Sequence, residues 1–377
     1  MPNTIIIGAG PIGSYLGYML SKRGISNTIV EEHKTIGKPE QCTGLISRNI
    51  EDHINPSLYK KAILNKVNGA VISCGKQSFE VKTANFKAYV FNRETFDKAI
   101  ADKAKNKGSE LLLNHRYINH QTTKKGLKIN LNSSQKASKN AKYLESSFLV
   151  GADGPVSKVA KNSYLYGDRK FWTGTQVILK TKKPWFDKEM VYLFLDRRYS
   201  DGFFAWTVPI DENRAKVGLA SATKPSELMQ KFLKEKFENF VVEEKHAGLI
   251  PIYKKIPLQN KEKNVFLVGD AALQCKATTG GGVVNGMVAA KGLAEAISSG
   301  KLDYEKRINQ IRRNLWMHSL IRKKASNMND KRKEKLLKDL NDEKVKKVLR
   351  EKGDMDFVAG FGMKVMMAKP SLLKYLF

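Results

Sequence analysis

Residues 8–13 read Gly-Ala-Gly-Pro-Ile-Gly between a short apolar run and an amphipathic one, and nothing else constrains the fold as much. The run at 4–7 (TIII) has the apolar character of a strand buried on both faces. From about Gly13 to Arg23, Tyr15, Leu16, Met19 and Leu20 fall on one helical face, and Gly24 closes the helix. Residues 27–31 predict the next strand, so the chain begins with a βαβ unit. In that setting Gly8 permits the tight turn and Gly10 lets backbone approach a pyrophosphate. Gly13 lets the helix lie close on the strand. Glu31 ends the second strand about twenty residues on, where a carboxylate takes the hydroxyls of an adenosine ribose. Glu32 is its neighbour. Glu31 is preferred because the apolar pair Ile29–Val30 stops immediately before it.

A glycine turn of this kind does not by itself separate NAD from FAD. Residues 148–157 read FLVGADGPVS, a strand followed by Asp153. Residues 266–272 read FLVGDAA, a strand followed by Gly269 and Asp270. An aspartate at a strand end, beside the amide-rich start of a helix, binds a ribityl chain while backbone amides reach the pyrophosphate. Gly280, Gly281 and Gly282 then open a helix at Val283. Bare backbone there can lie against an isoalloxazine ring and offer donors to its N1/O2 edge. An NAD dehydrogenase needs neither segment, so noncovalent FAD is the expected cofactor. The expected fold is α/β: a Rossmann-type FAD-binding domain of the glutathione-reductase and aromatic-hydroxylase kind. An antiparallel-sheet substrate domain is interleaved with it, and a helical C-terminal segment follows. Expected boundaries are 1–66, 91–164 and 257–300 for the FAD-binding domain, 67–90 and 165–256 for the sheet domain, and 301–377 for the helices.

With these segments in place the chain resembles the geranylgeranyl reductase family of FAD enzymes over most of its length. The likeness runs through Glu31, Ile36-Gly37-Lys38-Pro39, Cys42-Thr43-Gly44, Phe91-Asn92-Arg93 and the GADG segment. It continues through Phe204-Ala205-Trp206-Thr207-Val208-Pro209, Val217-Gly218-Leu219, and the GDAA segment with Thr279 to Gly282. The resemblance implies that Glu31, Cys42, Thr43, Arg93, Asp270, Gly282 and Val283 touch FAD. It also implies reduction of isoprenoid chains of archaeal ether lipids by a monomer. Two positions depart from the family pattern: Ile210 stands where a Lys is frequent, and Cys42-Thr43-Gly44-Leu45 where many members read C-G-E-G.

Reducing an unactivated alkene requires a hydride and a proton delivered in a dry, apolar slot. Tyr192, Phe194, Phe203, Phe204, Trp206 and Val208 are candidate walls of that slot, with ordinary core packing as the plain reading of each. Trp206 is preferred among them because it lies in the family segment. Cys42 is a candidate proton donor or part of the flavin face, and a Cys42–Cys275 redox pair is a further reading. The histidines are scattered and no Cys/His cluster has metal spacing, so no metal is expected. No separate nicotinamide motif stands out, which leaves NAD(P)H and ferredoxin both as electron donors.

Lys and Arg number 67 against 37 Asp and Glu, a net charge of +30. Such a surface is drawn to polyanions, although Lys-rich surfaces also occur with no such role. No nucleic-acid-binding motif accompanies the charge, so a basic nucleic-acid-binding protein ranks last. An FAD-dependent aromatic hydroxylase, using NAD(P)H and O2, shares the GADG and GDAA segments and stands as the alternative enzyme. Three cysteines and no secretory leader suggest a cytoplasmic protein, peripheral on the inner membrane face. Residues 305–351 predict solvated helices from their charge density. The final segment, 356–377, mixes apolar residues with Lys364, Lys369 and Lys374, as expected of an anchor in a bilayer interface or a lid over the substrate slot.

Overall fold

The N-terminal βαβ unit consists of β1 (Thr4–Ile7), α1 (Pro11–Ser21) and β2 (Asn27–Val30), in a computed structural model that describes residues 3–133, 141–262 and 264–375. Pro11 sits in the first turn of α1, where its fixed φ suits a helix start and its missing N–H is not needed. The helix buries Tyr15, Leu16, Met19 and Leu20, each worth about 1.5–3 kcal/mol of apolar transfer at full burial. Gly17 faces β2 closely, since a Cβ there would lie 2.6 Å from Ile29 Cδ1.

β1 is flanked by β2 on one side and by the strand Phe148–Gly151 on the other, all three parallel. Glu110–Leu112 extends the sheet beyond β2, Val265–Leu267 extends it beyond Phe148–Gly151, and Gln259–Asn260 adds an antiparallel edge. Chain order therefore reverses at β1. In open α/β sheets the crevice outside the strand C-termini at such a switch point receives the ligand. The helices Arg93–Asn106 and Val283–Ser298 both pack against α1. Asn92 caps the first of them by accepting the Thr95 N–H at 2.8 Å. An antiparallel sheet of His115–Thr123, Gly126–Ser133 and Ala141–Ser146 adds Leu127, Ile129 and Leu131 to the same core.

The second large sheet has seven strands, in the order Phe240–Pro251, Phe171–Thr181, Arg214–Ser221, Ala205–Pro209, Met190–Phe194, Gly69–Cys74 and Gln77–Lys82. Only the pairing of Gly69–Cys74 with Met190–Phe194 is parallel. One face packs on the helix Pro225–Lys236 through Val177, Leu179, Phe232 and Phe237. The other face, with Phe203, Phe204, Trp206 and Val208, turns toward the FAD-binding domain. This division corrects two of the expected slot walls. Side chains alternate along Met190–Phe194, and while Val191 and Leu193 face the inter-domain side, Tyr192 and Phe194 point to the opposite core. There the Phe194 ring meets Phe232 at 5.1 Å.

The C-terminal helices are less solvated than their charge density suggests. Asn309–Asn327 buries Ile311, Asn314, Leu315, His318 and Arg322. Asp330–Leu340 seats Leu337 against Cys74 and Phe79. The final segment forms the helix Val358–Ala368 and a short turn of helix at Pro370–Tyr375, and its last two residues lie outside the described residues.

Candidate functional site

A single cavity of about 1370 Å3 runs from the C-terminal ends of β1 and β2 to the inner face of the seven-stranded sheet. That exceeds the roughly 300–1,000 Å3 of ordinary small-molecule sites, so a dinucleotide and a second ligand can share it.

The nucleotide end is built from glycines in contact. Gly8 has φ +105°, and a Cβ on it would lie 2.4 Å from the Ala152 carbonyl oxygen. A Cβ on Gly13 would meet the Gly8 oxygen at 1.9 Å, while one on Gly10 would meet nothing within 4 Å. Gly8 and Gly13 are therefore required by the protein's own backbone, and Gly10 borders open space. Glu31 accepts the Ala9 N–H at 2.9 Å and the His33 N–H at 3.0 Å, with His33 Nδ1 2.6 Å from the same carboxylate. The carboxylate is thereby fixed at the end of β2 facing the cavity, whereas Glu32 pairs with Arg116.

The two later aspartates differ. Asp153 accepts the Ser157 hydroxyl at 2.6 Å and the amides of Lys158 and Val159 at 2.7 and 3.1 Å. It braces the start of the helix Lys158–Asn162. Asp270 lines the cavity, and its carboxylate has no hydrogen-bond partner among the described residues. Burial raises its pKa, with Arg93 opposing. Gly280, Gly281, Gly282 and Val283 also line the cavity at the amide-rich start of Val283–Ser298. An unpartnered, half-buried carboxylate, open space at Gly10 and a helix N-terminus together fit the ribityl, pyrophosphate and ring edge of FAD.

A loop over residues 37–44 crosses from this end to the sheet. Gly44 has φ +75° and lies so close to Phe91 that a Cβ would be 2.5 Å from its carbonyl oxygen. Arg93 donates to Asp97 at 3.0 and 2.9 Å, with Cys42 nearby. Burial opposes the Arg93 charge, but Asp97 and then Cys42 more than offset it, and its pKa is raised. From the sheet, Lys216 reaches Glu40 at 2.6 Å and the Phe91 carbonyl at 3.0 Å. The Thr43 hydroxyl donates to Gln176 Oε1 at 2.6 Å. The loop is thus pinned on both sides.

The apolar end is a row of residues in cross-strand register: His246, Gln176, Gly218, Trp206 and Leu193. Gly218 leaves the space that the indole fills, since a Cβ there would lie 2.6 Å from Trp206 Cζ2. Trp206 Nε1 donates to Gln176 Oε1 at 3.3 Å. Phe203, Phe204, Val208, Val191 and Ile250 continue the wall. The cysteines are free; Cys42 lines the cavity, while burial, then Asp270, pushes the Cys275 thiol well above its usual range.

Leu349 and residues 353–356 close the remaining side. Asp356, 1% exposed, bonds Lys276 and the Ser47 hydroxyl, and accepts from Asn49 Nδ2 at 3.0 Å. Its carbonyl oxygen takes the Asn314 amide and lies 3.1 Å from His318 Nε2. Met355 is held among the aromatic wall residues as a result. Sequence reasoning missed Gln176, Lys216, His246, Lys276 and Asp356. A lysine within the apolar strand Arg214–Ser221 was the one available signal, for Lys216.

The family described as an FAD binding domain matches residues 2–300. An uncharacterized protein of Methanocaldococcus jannaschii is 32% identical over 97% of this chain and 94% of its own. The digeranylgeranylglycerophospholipid reductase of Methanothrix thermoacetophila is 28% identical over 81% of this chain and 82% of its own. In fold, a geranylgeranyl bacteriochlorophyll reductase-like protein from Thermoplasma acidophilum superposes with TM-score 0.82 at 18% identity, covering 100% of this chain and 98% of that one. A flavin-dependent brominase gives 0.72 at 16% identity over 99% and 98%. The chain belongs to the FAD-binding-domain family: it is an FAD-dependent oxidoreductase homologous to archaeal digeranylgeranylglycerophospholipid reductases.

Proposed function

We propose that this protein saturates the carbon–carbon double bonds of prenyl chains, those of geranylgeranyl ether phospholipids in particular. The observation that carries the reading is the apolar wall of Trp206, Phe203, Phe204, Val208 and Leu193, continuous with the nucleotide end of one cavity. Homologues named as digeranylgeranylglycerophospholipid reductases support the substrate class.

FAD, when bound and reduced, supplies the hydride. The chain's residues do the rest. The aromatic wall holds a flexible alkene flat and excludes water, which converts an encounter into a positioned one. The Gly44 N–H donates to Cys42 Sγ at 3.4 Å, and the Arg93 guanidinium lies near the sulfur, which lines the cavity. His246 lies across the sheet row from there, with Nε2 3.1 Å from Glu244. Glu244 is 58% exposed in its side chain, while His246 Nε2 is buried with no hydrogen-bond partner among the described residues. Cys42 and His246 are the two side chains we assign to hold the proton for the second alkene carbon.

The fold is shared with a brominase, and an aromatic hydroxylase working with NAD(P)H and O2 is the second reading. Mass spectrometry of lipids from cells making the protein beside an unsaturated prenyl-ether substrate separates the two. A prenyl reductase adds mass in steps of two hydrogens. A hydroxylase leaves the lipid unchanged and adds oxygen to a phenol.

A further inference from the structure

The helices Asn309–Asn327 and Val358–Ala368 touch one another, and each leaves large apolar side chains exposed among the described residues. Trp316 and Leu320, one turn apart, are 56% and 43% exposed, and Met363 and Met367, again one turn apart, are 70% and 74% exposed. Residues 309–327 and 358–375 contain no Asp or Glu. Arg313, Lys323, Lys324 and Lys364 have no ion-pair partner among the described residues.

These faces cannot turn inward, because the opposite sides are tied down. Asn314 and His318 hold the Asp356 carbonyl. Arg322 donates to the Ala277 and Thr278 carbonyls and lies 4.5 Å from the Phe203 ring centroid. Val358, the first residue of the second helix, already lines the cavity. The exposed methionines therefore begin about one and a half turns from the apolar end of the site. Among the described residues no helix is long and apolar enough to cross a membrane.

We propose that this face docks the protein on an anionic lipid bilayer, lying in the interface beside the cavity's C-terminal wall. Exposed apolar side chains on two helices that carry cations without ion-pair partners among the described residues, and no acid of their own, match an interfacial helix on anionic lipid. The choice of a lipid surface over a protein partner rests on the prenyl-lipid reading of the cavity. Within the final segment, Asp356 and Val358 line the cavity while Met363 and Met367 face outward, so a cover and an anchor could occupy successive stretches of it.

The test is co-sedimentation of the FAD-loaded full chain with phosphatidylglycerol or phosphatidylcholine vesicles, repeated with Met363→Glu/Met367→Glu and with Arg313→Glu/Lys364→Glu. Expected is at least tenfold more binding to phosphatidylglycerol, lost at least tenfold in both variants while flavin absorbance and melting temperature are kept. Brominated phosphatidylglycerol should quench a component of the emission that disappears in Trp316→Phe. Equal binding of both vesicles, undiminished binding by the variants, or a dimer in solution that the Glu substitutions split would each overturn the proposal. Turnover of detergent-dispersed prenyl substrate separates this from the function itself. Variants that keep turnover but lose vesicles support docking, whereas wild type that binds vesicles but never reduces the prenyl chain sinks only the substrate reading.

Discussion

The Lys276 ammonium and the Asp356 carboxylate form an ion pair with side chains 6% and 2% exposed, and it ties the turn before the glycine triplet to the C-terminal wall of the cavity. The Asp356 carboxyl is held below its usual range because Lys276, Ser47 and Asn49 together outweigh the effect of its burial. A charge so placed is costly to leave alone.

Asp356→Ala strands the Lys276 ammonium and should lower unfolding free energy by about 3–5 kcal/mol. The double variant Lys276→Met/Asp356→Leu should cost less than Asp356→Ala alone. Denaturant midpoints of wild type and the two variants measure this, and a double variant as unstable as Asp356→Ala, or more so, would contradict it.

His318 reports on the same junction. Burial, the largest cause, lowers its pKa from 6.5 to about 4, and Lys276 adds to the effect. The unfolded chain binds the proton more readily, so stability falls as pH drops from 6.5 toward 4. The expected loss is about 3 kcal/mol by pH 4. His318→Gln should remove that part of the slope, read as the difference between the two proteins' urea stabilities across the window. Parallel slopes would place the titration elsewhere.

Gly218→Ala puts a methyl 2.6 Å from the Trp206 ring and 2.8 Å from the Thr175 carbonyl. Overpacking of this kind costs about 1–3 kcal/mol. It should also move the indole into the slot, so that FAD is retained while prenyl turnover falls at least tenfold. Unchanged turnover would remove Trp206 from the substrate wall.

The glycine cradle was legible because each part is local: Gly8, Gly10, Gly13 and Glu31 lie within one βαβ unit, and Gly280 to Val283 within one turn. What was not legible depends on pairing across long separations. Whether Tyr192 or Leu193 faces the cavity is decided by register with Trp206 and Gly218, and the run Met190–Phe194 is apolar on both faces. Gln176 meets His246 across strands and Lys276 meets Asp356 across 80 residues, and no short-range pattern marks either. Asp153 and Asp270 read alike in sequence, and differ because only Asp153 has a hydroxyl and two amides turned toward it.

The proton assignment separates by substitution. A positioned acid contributes roughly 10²–10⁴ in rate, so Cys42→Ala or His246→Gln should slow prenyl turnover at least 100-fold, whichever residue delivers the proton. Flavin absorbance should be unchanged in both. Full activity in one of them assigns the proton to the other, and full activity in both contradicts the assignment.

The most direct measurement is anaerobic mixing of the dithionite-reduced holoenzyme with an unsaturated geranylgeranyl ether phospholipid. A prenyl reductase reoxidises its flavin on the lipid alone, and the lipid gains two hydrogens for each flavin reoxidised. A flavin that stays reduced with the lipid, yet reoxidises promptly in oxygen with a phenol hydroxylated, would contradict the reading.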